Sequence, residues 1–192
     1  MGFEEIKNES PFSENDAKLV NDYVVLDLET TGLSPDKNEI IEIAAIKVKN
    51  NKVSEVYNKL IKPDNDISEF ITSITDISSE MIKNAPKIND VIKEFNDFIK
   101  DEIIIGYNIC FDLNFISDKS VKYLGRDINN KYIDVMKLVK KVFPQIKHYK
   151  QTDIADLFNI DTDSAHRALK DCEMCKKIYD KIKIIGLPKE EQ

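Results

Sequence analysis

Two carboxylates lie two residues apart near the end of an apolar segment, at Asp27 and Glu29. Because the side chains of a strand alternate between its two faces, a strand here would project both carboxylates from one face and Leu28 from the other. Two such acids repel each other and lose hydration, which favours an oxygen-seeking divalent cation such as Mg²⁺ or Mn²⁺ between them. Taken alone, the pair is more often a set of solvent-facing acids at a strand end, since short motifs match by chance.

Two further features carry chemistry-bearing side chains. Asp112 is predicted in the first turn of a helix after a short apolar strand, where the helix dipole explains an acid as well as a catalytic role does. His166 and Asp171 are predicted on the last helix, with Asp163 or Ser164 as its N-cap. On a helix this spacing separates them by about 140°, which suits a histidine beside a metal-bound water. A lone histidine there is more often a surface or capping residue.

Length and composition limit the class of protein. The chain has 192 residues, of which 42% are hydrophobic and 33% charged, and its net charge is −7. At roughly 150 residues per domain this length predicts one domain, and the composition excludes disordered and fibrous proteins. The negative charge argues against a protein that holds nucleic acid by bulk positive charge. A local site that binds nucleic acid through metal ions stays open.

Cysteine usage and apolar runs bear on the compartment. The chain has 3 cysteines, and two of them, Cys172 and Cys175, are predicted inside the last helix with no second pair nearby. This pattern does not indicate a disulfide framework or a zinc site. Residues 1–15 lack a signal-peptide run, and no stretch reaches the roughly 18 apolar residues of a membrane span. We therefore expect a protein of the reducing cytoplasm with no membrane partner.

The pattern of apolar residues predicts an α/β domain. Three strands are expected at 23–29, 39–49 and 52–61, the last two joined by a turn at Asn50-Asn51, so that the three run antiparallel. Helices and short strands then alternate, with strands at 103–106 and 132–134 and helices at 88–99, 110–117, 136–142, 153–158 and 165–183. We expect a mixed sheet with helices on its faces. We assign 1–20 to a polar N-terminal extension, 21–186 to the domain and 187–192 to a short tail.

Four motifs in a fixed order make the sequence recognisable. They are Val-Leu-Asp-Leu-Glu-Thr-Thr-Gly-Leu, Asn-Glu-Ile-Ile-Glu-Ile-Ala, Gly-Tyr-Asn with a following Phe-Asp, and Ala-His-Arg-Ala-Leu-Lys-Asp, at 25–33, 38–44, 106–112 and 165–171. In these motifs the chain resembles the DEDDh family of 3′-to-5′ exonucleases, in the branch of the polymerase III epsilon subunit and the PolC-type exonuclease domain. The likeness extends over about residues 22–182. It implies a ribonuclease H-like mixed five-stranded sheet, three strands antiparallel and then parallel ones, with helices on both faces.

The resemblance also implies an activity and a set of roles. The activity is metal-dependent 3′–5′ hydrolysis of single-stranded or frayed DNA that releases nucleoside 5′-monophosphates, in proofreading or repair. Two divalent ions, Mg²⁺ or Mn²⁺, would clamp the attacking and leaving oxygens, while an imidazole, which titrates at about pH 6.5, accepts a proton from water. The acids that would hold the ions and take part in catalysis, and the histidine that would act as base, are Asp27, Glu29, Asp112, Asp171 and His166.

The family pattern further implies a pocket for the terminal nucleotide. The residues that would line it or touch the substrate are Thr30, Thr31, Gly32, Leu33 and Asn108. Two departures from the pattern are Tyr107, where close relatives often have histidine, and Lys150-Gln151, which interrupts the usual leucines and can reshape a loop that faces the substrate.

Several alternatives stay open at this point. The sugar preference is one, because discrimination by the 2′-hydroxyl rests on a few contacts, so an exoribonuclease of the same superfamily is the nearest rival. A non-catalytic adaptor for a polymerase or nucleic acid is a rival of another class, and a DNA polymerase is a candidate partner of the enzyme as well. A dense basic stretch is either a phosphate track or a solvated helix face; its residues are Lys137, Lys140, Lys141, Lys147, His148 and Lys150.

Overall fold

Five strands form one mixed sheet in the order β3-β2-β1-β4-β5, in a computed structural model that describes residues 19–163 and 166–187. The strands are β1 Tyr23–Thr30, β2 Ile40–Lys49, β3 Lys52–Leu60, β4 Ile104–Gly106 and β5 Tyr132–Asp134. Strands β1, β2 and β3 run antiparallel, whereas β4 and β5 run parallel to β1. The predicted change from antiparallel to parallel pairing is confirmed.

Seven helices are found within the same residues, and they lie between or after the strands. Their bounds are α1 Glu69–Thr75, α2 Ser79–Ile82, α3 Ile88–Ile99, α4 Cys110–Leu124, α5 Val135–Val142, α6 Gln151–Leu157 and α7 Ala168–Ile185. Helices α1 and α2 lie between β3 and α3, and Ser68 and Ser78 cap their N-termini by accepting backbone hydrogen bonds.

The turn between β2 and β3 follows from two asparagines. Asn50 and Asn51 both have positive φ, 51° and 63°. Two successive residues in the left-handed region make a turn whose twist matches that of the flanking strands, and asparagine tolerates this conformation better than most residues. The hairpin predicted from Asn50-Asn51 is therefore confirmed, and it fixes the register in which Lys49 faces Lys52.

Alternate residues of β1 face two different apolar layers. Tyr23 and Val25 lie in one core with the buried face of α7 and with α5 and α6, while Val24 and Leu26 lie in another with α3 and α4. This period of two is what a strand buried on both faces requires. Helices on both faces of the sheet are therefore confirmed, and Cys172 and Cys175 lie buried inside α7, where they were predicted.

The carboxyl ends of the three parallel strands meet at one edge of the sheet. Val25 is level with Ile105, and Gly106 is level with Asp134. Strand β4 therefore ends while β1 continues for several more residues. The acids of β1, the turn after β4 and the start of α5 are brought to the same edge by this register, which is where open α/β sheets place their sites.

The last helix differs from its prediction. It begins at Ala168 rather than at 165, so His166 precedes it, and its N-cap is Arg167, whose side chain makes no cap hydrogen bond. Ser164 lies outside the described residues, as do most of the predicted extension at 1–20 and tail at 187–192. Helix α4 also continues beyond residue 117 to Leu124, where Gly125 ends it with φ 66°. Among residues 19–163 and 166–187, no helix is both long and apolar enough to cross a membrane.

Gly106 is a position where a side chain would disturb the site edge. A Cβ atom there would lie 2.9 Å from the backbone oxygen of Leu26 and 2.4 Å from Cδ1 of Ile109. We expect Gly106→Ala to lower the free energy of unfolding by about 1–3 kcal/mol, because the neighbouring backbone has to shift. Urea denaturation would measure the loss.

Gly125 provides the control for this substitution. It has φ 66°, and no atom lies within 4 Å of its added Cβ. Asparagine tolerates that conformation, so Gly125→Asn should change stability by no more than about 0.5 kcal/mol. Equal stability of Gly106→Ala and the unmodified protein would contradict the crowding at the end of β4.

Candidate active site

Three carboxylates converge where β1 ends beside α7. Asp27, Glu29 and Asp171 each place a carboxylate oxygen within 4.8 Å of the other two. Asp27 and Glu29 share the face of β1 that packs against α7, because Tyr23 and Val25 on that face contribute to the same core. Two residues of one strand and one residue of the covering helix thus meet in a partly buried cluster that suits an oxygen-seeking cation.

Asp112 joins this region from α4. Its side chain is 4% exposed, and its Oδ1 accepts a hydrogen bond from the backbone N–H of Leu28 at 3.0 Å. The N–H of Val24 on the same edge of β1 is bound by β4, through Ile103, but β4 ends before it reaches Leu28. Asp112 therefore occupies the place beside β1 that β4 does not reach.

His166 lies beside Asp171 through the backbone rather than by helical spacing. Its N–H donates to Oδ2 of Asp171 at 3.1 Å, and its φ is 76°. The predicted angular separation of His166 and Asp171 on one helix is therefore wrong, because His166 lies outside α7. A non-glycine residue in the left-handed region is strained and persists only where its surroundings hold it. The imidazole of His166 is exposed, and the backbone at this residue directs its N–H toward the acids.

A buried ion pair holds this bend in place. Glu42 of β2 is fully buried and receives two hydrogen bonds from the Arg167 guanidinium, at 3.1 Å from Nε and 2.8 Å from the terminal nitrogen. It also accepts the backbone N–H of Ala168 at 3.2 Å. The carboxylate of Glu42 thus keeps Arg167 extended, satisfies the first residue of α7 and fixes the residue next to His166.

The loop after β1 folds back on itself. Thr30 donates through its hydroxyl to the backbone oxygen of Gly32 at 2.7 Å, and the Thr31 hydroxyl accepts the N–H of Glu39 at 2.9 Å. The side chain of Leu33 is 83% exposed at the tip of this loop. A large apolar side chain that is exposed to this extent is available for contact with a ligand.

A second set of contacts fastens the loop to α4. Lys119 is only 7% exposed, and its ammonium donates to the backbone oxygen of Pro35 at 2.8 Å. Asn38 closes the loop from inside by accepting the Ser34 N–H at 3.0 Å, and its side chain fills the space that a Cβ on Gly32 would need. The positions of Thr31, Gly32 and Leu33 therefore depend on helix α4 as well as on β1.

Asn108 occupies the turn between β4 and α4. Its φ is 60°, and its N–H donates to Oδ1 of Asp134 at 3.1 Å. The same oxygen accepts the N–H of Met136 at 3.0 Å, so that Asp134 caps α5 and holds the Asn108 turn at once. Asp134 thereby fixes this turn, which directly precedes the helix that carries Asp112.

Sequence reasoning assigned no role to Glu42, Asp134 and Lys119. A usable signal existed for Glu42, because a single acid inside the apolar strand Ile-Ile-Glu-Ile-Ala-Ala-Ile needs a buried cationic partner. Asp134 directly precedes a helix, which is the usual place of an N-cap. Nothing in the local pattern marks Lys119 as a residue of the site, because the backbone oxygens that it binds, those of Pro35 and Asn38, lie more than 80 residues earlier in the chain.

Burial and crowding raise the pKa of the two acids of β1. Loss of hydration is the largest cause for Asp27, followed by repulsion from Asp112 and Asp171, and its pKa lies well above the ordinary value. The pKa of Glu29 is raised to about 8, again first by loss of hydration and then by repulsion from Asp171 and Glu42. A cation would remove both the repulsion and the preference for the protonated form.

Backbone hydrogen bonds oppose this effect at the other two acids. Burial raises the pKa of Asp112, while the N–H of Leu28 favours its charged form. Burial likewise raises the pKa of Asp171, and the N–H and charge of His166 act in the opposite direction. The four acids form one electrostatic unit that an oxygen-seeking cation would complete.

The family model for the RNase_T exonucleases matches residues 24–179. DNA polymerase III subunit epsilon of Aquifex aeolicus is 36% identical over 167 residues, which cover 87% of this chain and 83% of that protein. The PolC-type DNA polymerase III of Caldanaerobacter subterraneus is 36% identical over 178 residues, 91% of this chain. The chain spans only 13% of that longer relative.

Solved structures share the fold. The structure titled exonuclease X in complex with 5′ overhanging duplex DNA is 26% identical, with TM-score 0.69, over 88% of this chain and 95% of that one. E. coli exonuclease I in complex with a dA16 oligonucleotide is 18% identical, with TM-score 0.75, over 86% and 41%. The expected ribonuclease H-like arrangement, a mixed five-stranded sheet with helices on both faces, is confirmed.

The raised pKa values lead to a pH dependence of stability. Glu29 has an ordinary pKa of 4.5 and a folded-state pKa of about 8, so between these values the folded protein binds more protons than the unfolded chain. The free energy of unfolding of the protein should therefore fall as the pH rises from about 5 to about 8 in EDTA. Mn²⁺ should remove this fall, because it binds the deprotonated acids. Urea denaturation at pH 5.5 and 8.0 with EDTA or Mn²⁺ would measure both effects.

Two variants sharpen this test. Glu29→Gln should flatten the pH dependence in EDTA, whereas Glu80→Gln, which changes an exposed acid of α2, should leave it as it is. A metal-free protein whose stability does not change between these pH values would contradict the crowding of the acids.

The Glu42–Arg167 pair leads to a second prediction for this site. Arg167→Met leaves the Glu42 carboxylate buried without its counter-charge, and we expect unfolding to become easier by about 2–3 kcal/mol. Arg126 is the other arginine of the chain and is exposed, so Arg126→Met serves as the control with little effect. Chemical denaturation of both variants would measure the difference.

A double variant separates charge from packing. Glu42→Leu with Arg167→Met removes both charges, and it should recover much of the stability lost in Arg167→Met alone. If Arg167→Met is as stable as Arg126→Met, the ion pair does not hold the start of α7.

Proposed function

Because the chain belongs to the RNase_T exonuclease family, we propose that it removes nucleotides one at a time from the 3′ end of DNA. The reaction is hydrolysis of the terminal phosphodiester with release of nucleoside 5′-monophosphates. The observation that carries the proposal is the meeting of Asp27, Glu29 and Asp171 within 4.8 Å, with Asp112 fixed beside them. A phosphodiester is an anion, and four acids can receive it only together with cations.

The acids have the donor type for Mg²⁺ or Mn²⁺. Asp27, Glu29 and Asp171 would hold one ion, and the carboxylate of Asp112 would reach a second directly or through water. Two such ions supply Lewis-acid activation of water and neutralise charge on the attacked phosphate. The raised pKa values of Asp27 and Glu29 fit a site whose acids become fully charged only when cations are bound.

His166 is suited to accept the proton of the attacking water. The side chain of His166 is exposed, and the hydrogen bond from its backbone N–H to Asp171 holds this residue next to the acids. An imidazole can take up a proton from water and release it to solvent in each cycle, as a general base does. The Glu42–Arg167 pair acts on this step only by positioning the backbone next to His166.

The loop after β1 would hold the terminal nucleotide. We propose that backbone groups of Thr30 and Thr31 contact the 3′-hydroxyl, that Gly32 lets the chain approach closely and that the exposed Leu33 packs against a base. Asn108, whose turn is held by Asp134, would contact the strand as well. Hydrogen bonds hold both the loop and this turn, which favours accurate placement of the scissile bond.

The names of similar proteins support DNA as substrate. Exonuclease X and exonuclease I are titled as complexes with DNA, and a relative from Staphylococcus haemolyticus named 3′-5′ exonuclease DinG is 38% identical over 150 residues, 17% of its length. The polymerase III names of two relatives support a proofreading or repair role with a DNA polymerase as partner. The partner, the cytoplasmic setting and the identity and number of the metal ions stay predictions.

The activity is tested with a 5′-labelled single-stranded DNA of 20 nucleotides in Mg²⁺ or Mn²⁺. We expect a ladder that shortens from the 3′ end, is lost in EDTA, and is at least about 100-fold slower in His166→Ala and Asp27→Ala, because each removes a group of the reaction centre. Gel electrophoresis at timed intervals would measure the rates.

Controls for this experiment separate catalysis from folding and from substrate choice. Asp97→Ala changes an exposed acid of α3 and should keep the full rate. A matched RNA identifies the exoribonuclease alternative if it is digested faster than DNA. Metal-independent binding of either oligonucleotide without shortening would overturn the proposed exonuclease activity and favour the non-catalytic adaptor.

A further inference from the structure

The basic stretch of the sequence forms a separate electrostatic region of the protein. Residues 135–152, here called the basic segment, contain five lysines and neither Asp nor Glu. The whole chain carries a net charge of −7. The part of the chain outside the basic segment therefore carries −12, because the segment contributes five positive charges. The segment includes α5, the connection after it and the first residues of α6.

The basic segment is fastened to the candidate active site at both ends. At its start, Asp134 caps α5 and also binds the backbone of Asn108. At its end, Nε2 of Gln151 donates to the backbone oxygen of Asp171 at 2.7 Å. Lys150 is therefore one residue away from a group that touches one of the clustered acids.

A third contact holds the middle of the basic segment. The Tyr107 hydroxyl donates to the backbone oxygen of Tyr149 at 2.8 Å, and the Tyr149 hydroxyl donates to the backbone oxygen of Phe143 at 2.8 Å. Tyr107 directly precedes Asn108 in the turn after β4. The connection between α5 and α6 is thus tied to the wall of the site and closed on itself.

The lysines of the basic segment face solvent. Val135, Leu138 and Val139 form the buried face of α5, which leaves Lys140 and Lys141 on the exposed face. Lys147 and Lys150 are exposed on the connection that follows. In the part of the chain that the structure describes, Lys141, Lys147 and Lys150 have no carboxylate partner, which makes their charge available to an anion.

Other helices of the protein treat their lysines differently. On α3, Lys93 pairs with Asp97 at 2.8 Å, and on α7, Lys176 pairs with Asp180 at 2.7 Å. Such pairs are typical of a solvated helix face. The basic segment itself contains no acid. Asp134, just before it, interacts with Lys137, but Lys141 and Lys147 have no acid three or four residues away with which to form such pairs, so the interpretation as a solvated face loses support there.

From this placement we propose that the basic segment binds the phosphate backbone of the single strand whose 3′ end lies among the acids. This inference rests on the proposed function, because it extends the same substrate beyond the scissile bond. A net-negative protein with an acidic reaction centre repels a polyanion. Lys141, Lys147 and Lys150, which have no carboxylate partner among the described residues, offset this repulsion on a segment fastened to the backbone of Asp171. The lysines would contact phosphates 5′ to the terminal nucleotide, without reading its base.

The test compares two triple variants of equal charge. Lys141→Gln/Lys147→Gln/Lys150→Gln removes three charges from the basic segment. Lys52→Gln/Lys177→Gln/Lys181→Gln removes three exposed charges elsewhere, from the start of β3 and the later part of α7. The substrates are dT20 and the dinucleotide dTpdT, whose single phosphate lies at the scissile bond and cannot reach the segment.

The expected results differ between the substrates. In the first variant, KM for dT20 should rise roughly 10- to 100-fold at 0.1 M salt, and the slope of log KM against log salt should fall by about 2, since each phosphate contact contributes about 0.7. Its kcat on dT20 and its rate on dTpdT should stay within twofold of the unmodified protein. The second variant should behave like the unmodified protein on both substrates.

Contrary results distinguish this inference from the proposed function. Equal KM values and salt slopes for the two triple variants would overturn the phosphate track and leave a solvated face. Absence of hydrolysis of both dT20 and dTpdT by the unmodified protein would instead overturn the exonuclease. In that case fluorescence anisotropy of labelled dT20 still decides the track, which is supported only if the first variant alone binds more weakly.

Discussion

Repulsion among the carboxylates at the end of β1 is the constraint that the surrounding structure has to accommodate. Asp27 and Glu29 come from one strand and Asp171 from the helix above it, and loss of hydration makes their mutual repulsion stronger. The two apolar layers on either side of the sheet hold these elements together regardless of that cost. The site is thus built at the expense of local stability, as a cation site prepared before the cation binds must be.

Backbone N–H groups and one ion pair limit this cost. Asp112 accepts the N–H of Leu28 and Asp171 accepts that of His166, so backbone groups orient two of the acids. Arg167, four residues before Asp171 in the sequence, is bound at two points by Glu42. It therefore contributes little neutralisation to Asp171 and serves to fix the backbone. The arrangement keeps the acids negative toward an incoming cation while their positions stay rigid.

Much of the fold follows from local sequence. The period of two in β1, the asparagine turn and the apolar spacing of α3 are local signals, and strand β5 has the predicted bounds 132–134. What the sequence could not predict depends on contacts between distant residues. Arg167 stays extended, and α7 starts later than its pattern indicates, because Glu42 binds the guanidinium of Arg167. The two residues lie 125 positions apart in the chain, so no local pattern reveals this contact. The contact of Asp112 with Leu28, 84 residues apart, depends on where β4 ends. The motifs in the sequence predict which acids form the site, whereas the orientation of their carboxylates is set by the tertiary structure.

The division of charge over the molecule follows from the chemistry of a polyanionic substrate. Cations held by acids can neutralise only the phosphate at the reaction centre, because Coulomb interactions in water weaken within about 10 Å at 0.1 M salt. Phosphates farther along the strand need positive charge of the protein's own, placed where the strand leaves the centre. Gln151 fastens the end of the basic segment to the backbone of Asp171, and Asp134, whose carboxylate interacts with Lys137, fastens its start to Asn108. An acidic centre and a basic exit are therefore compatible in one small domain, since the first binds cations and the second binds the anion directly.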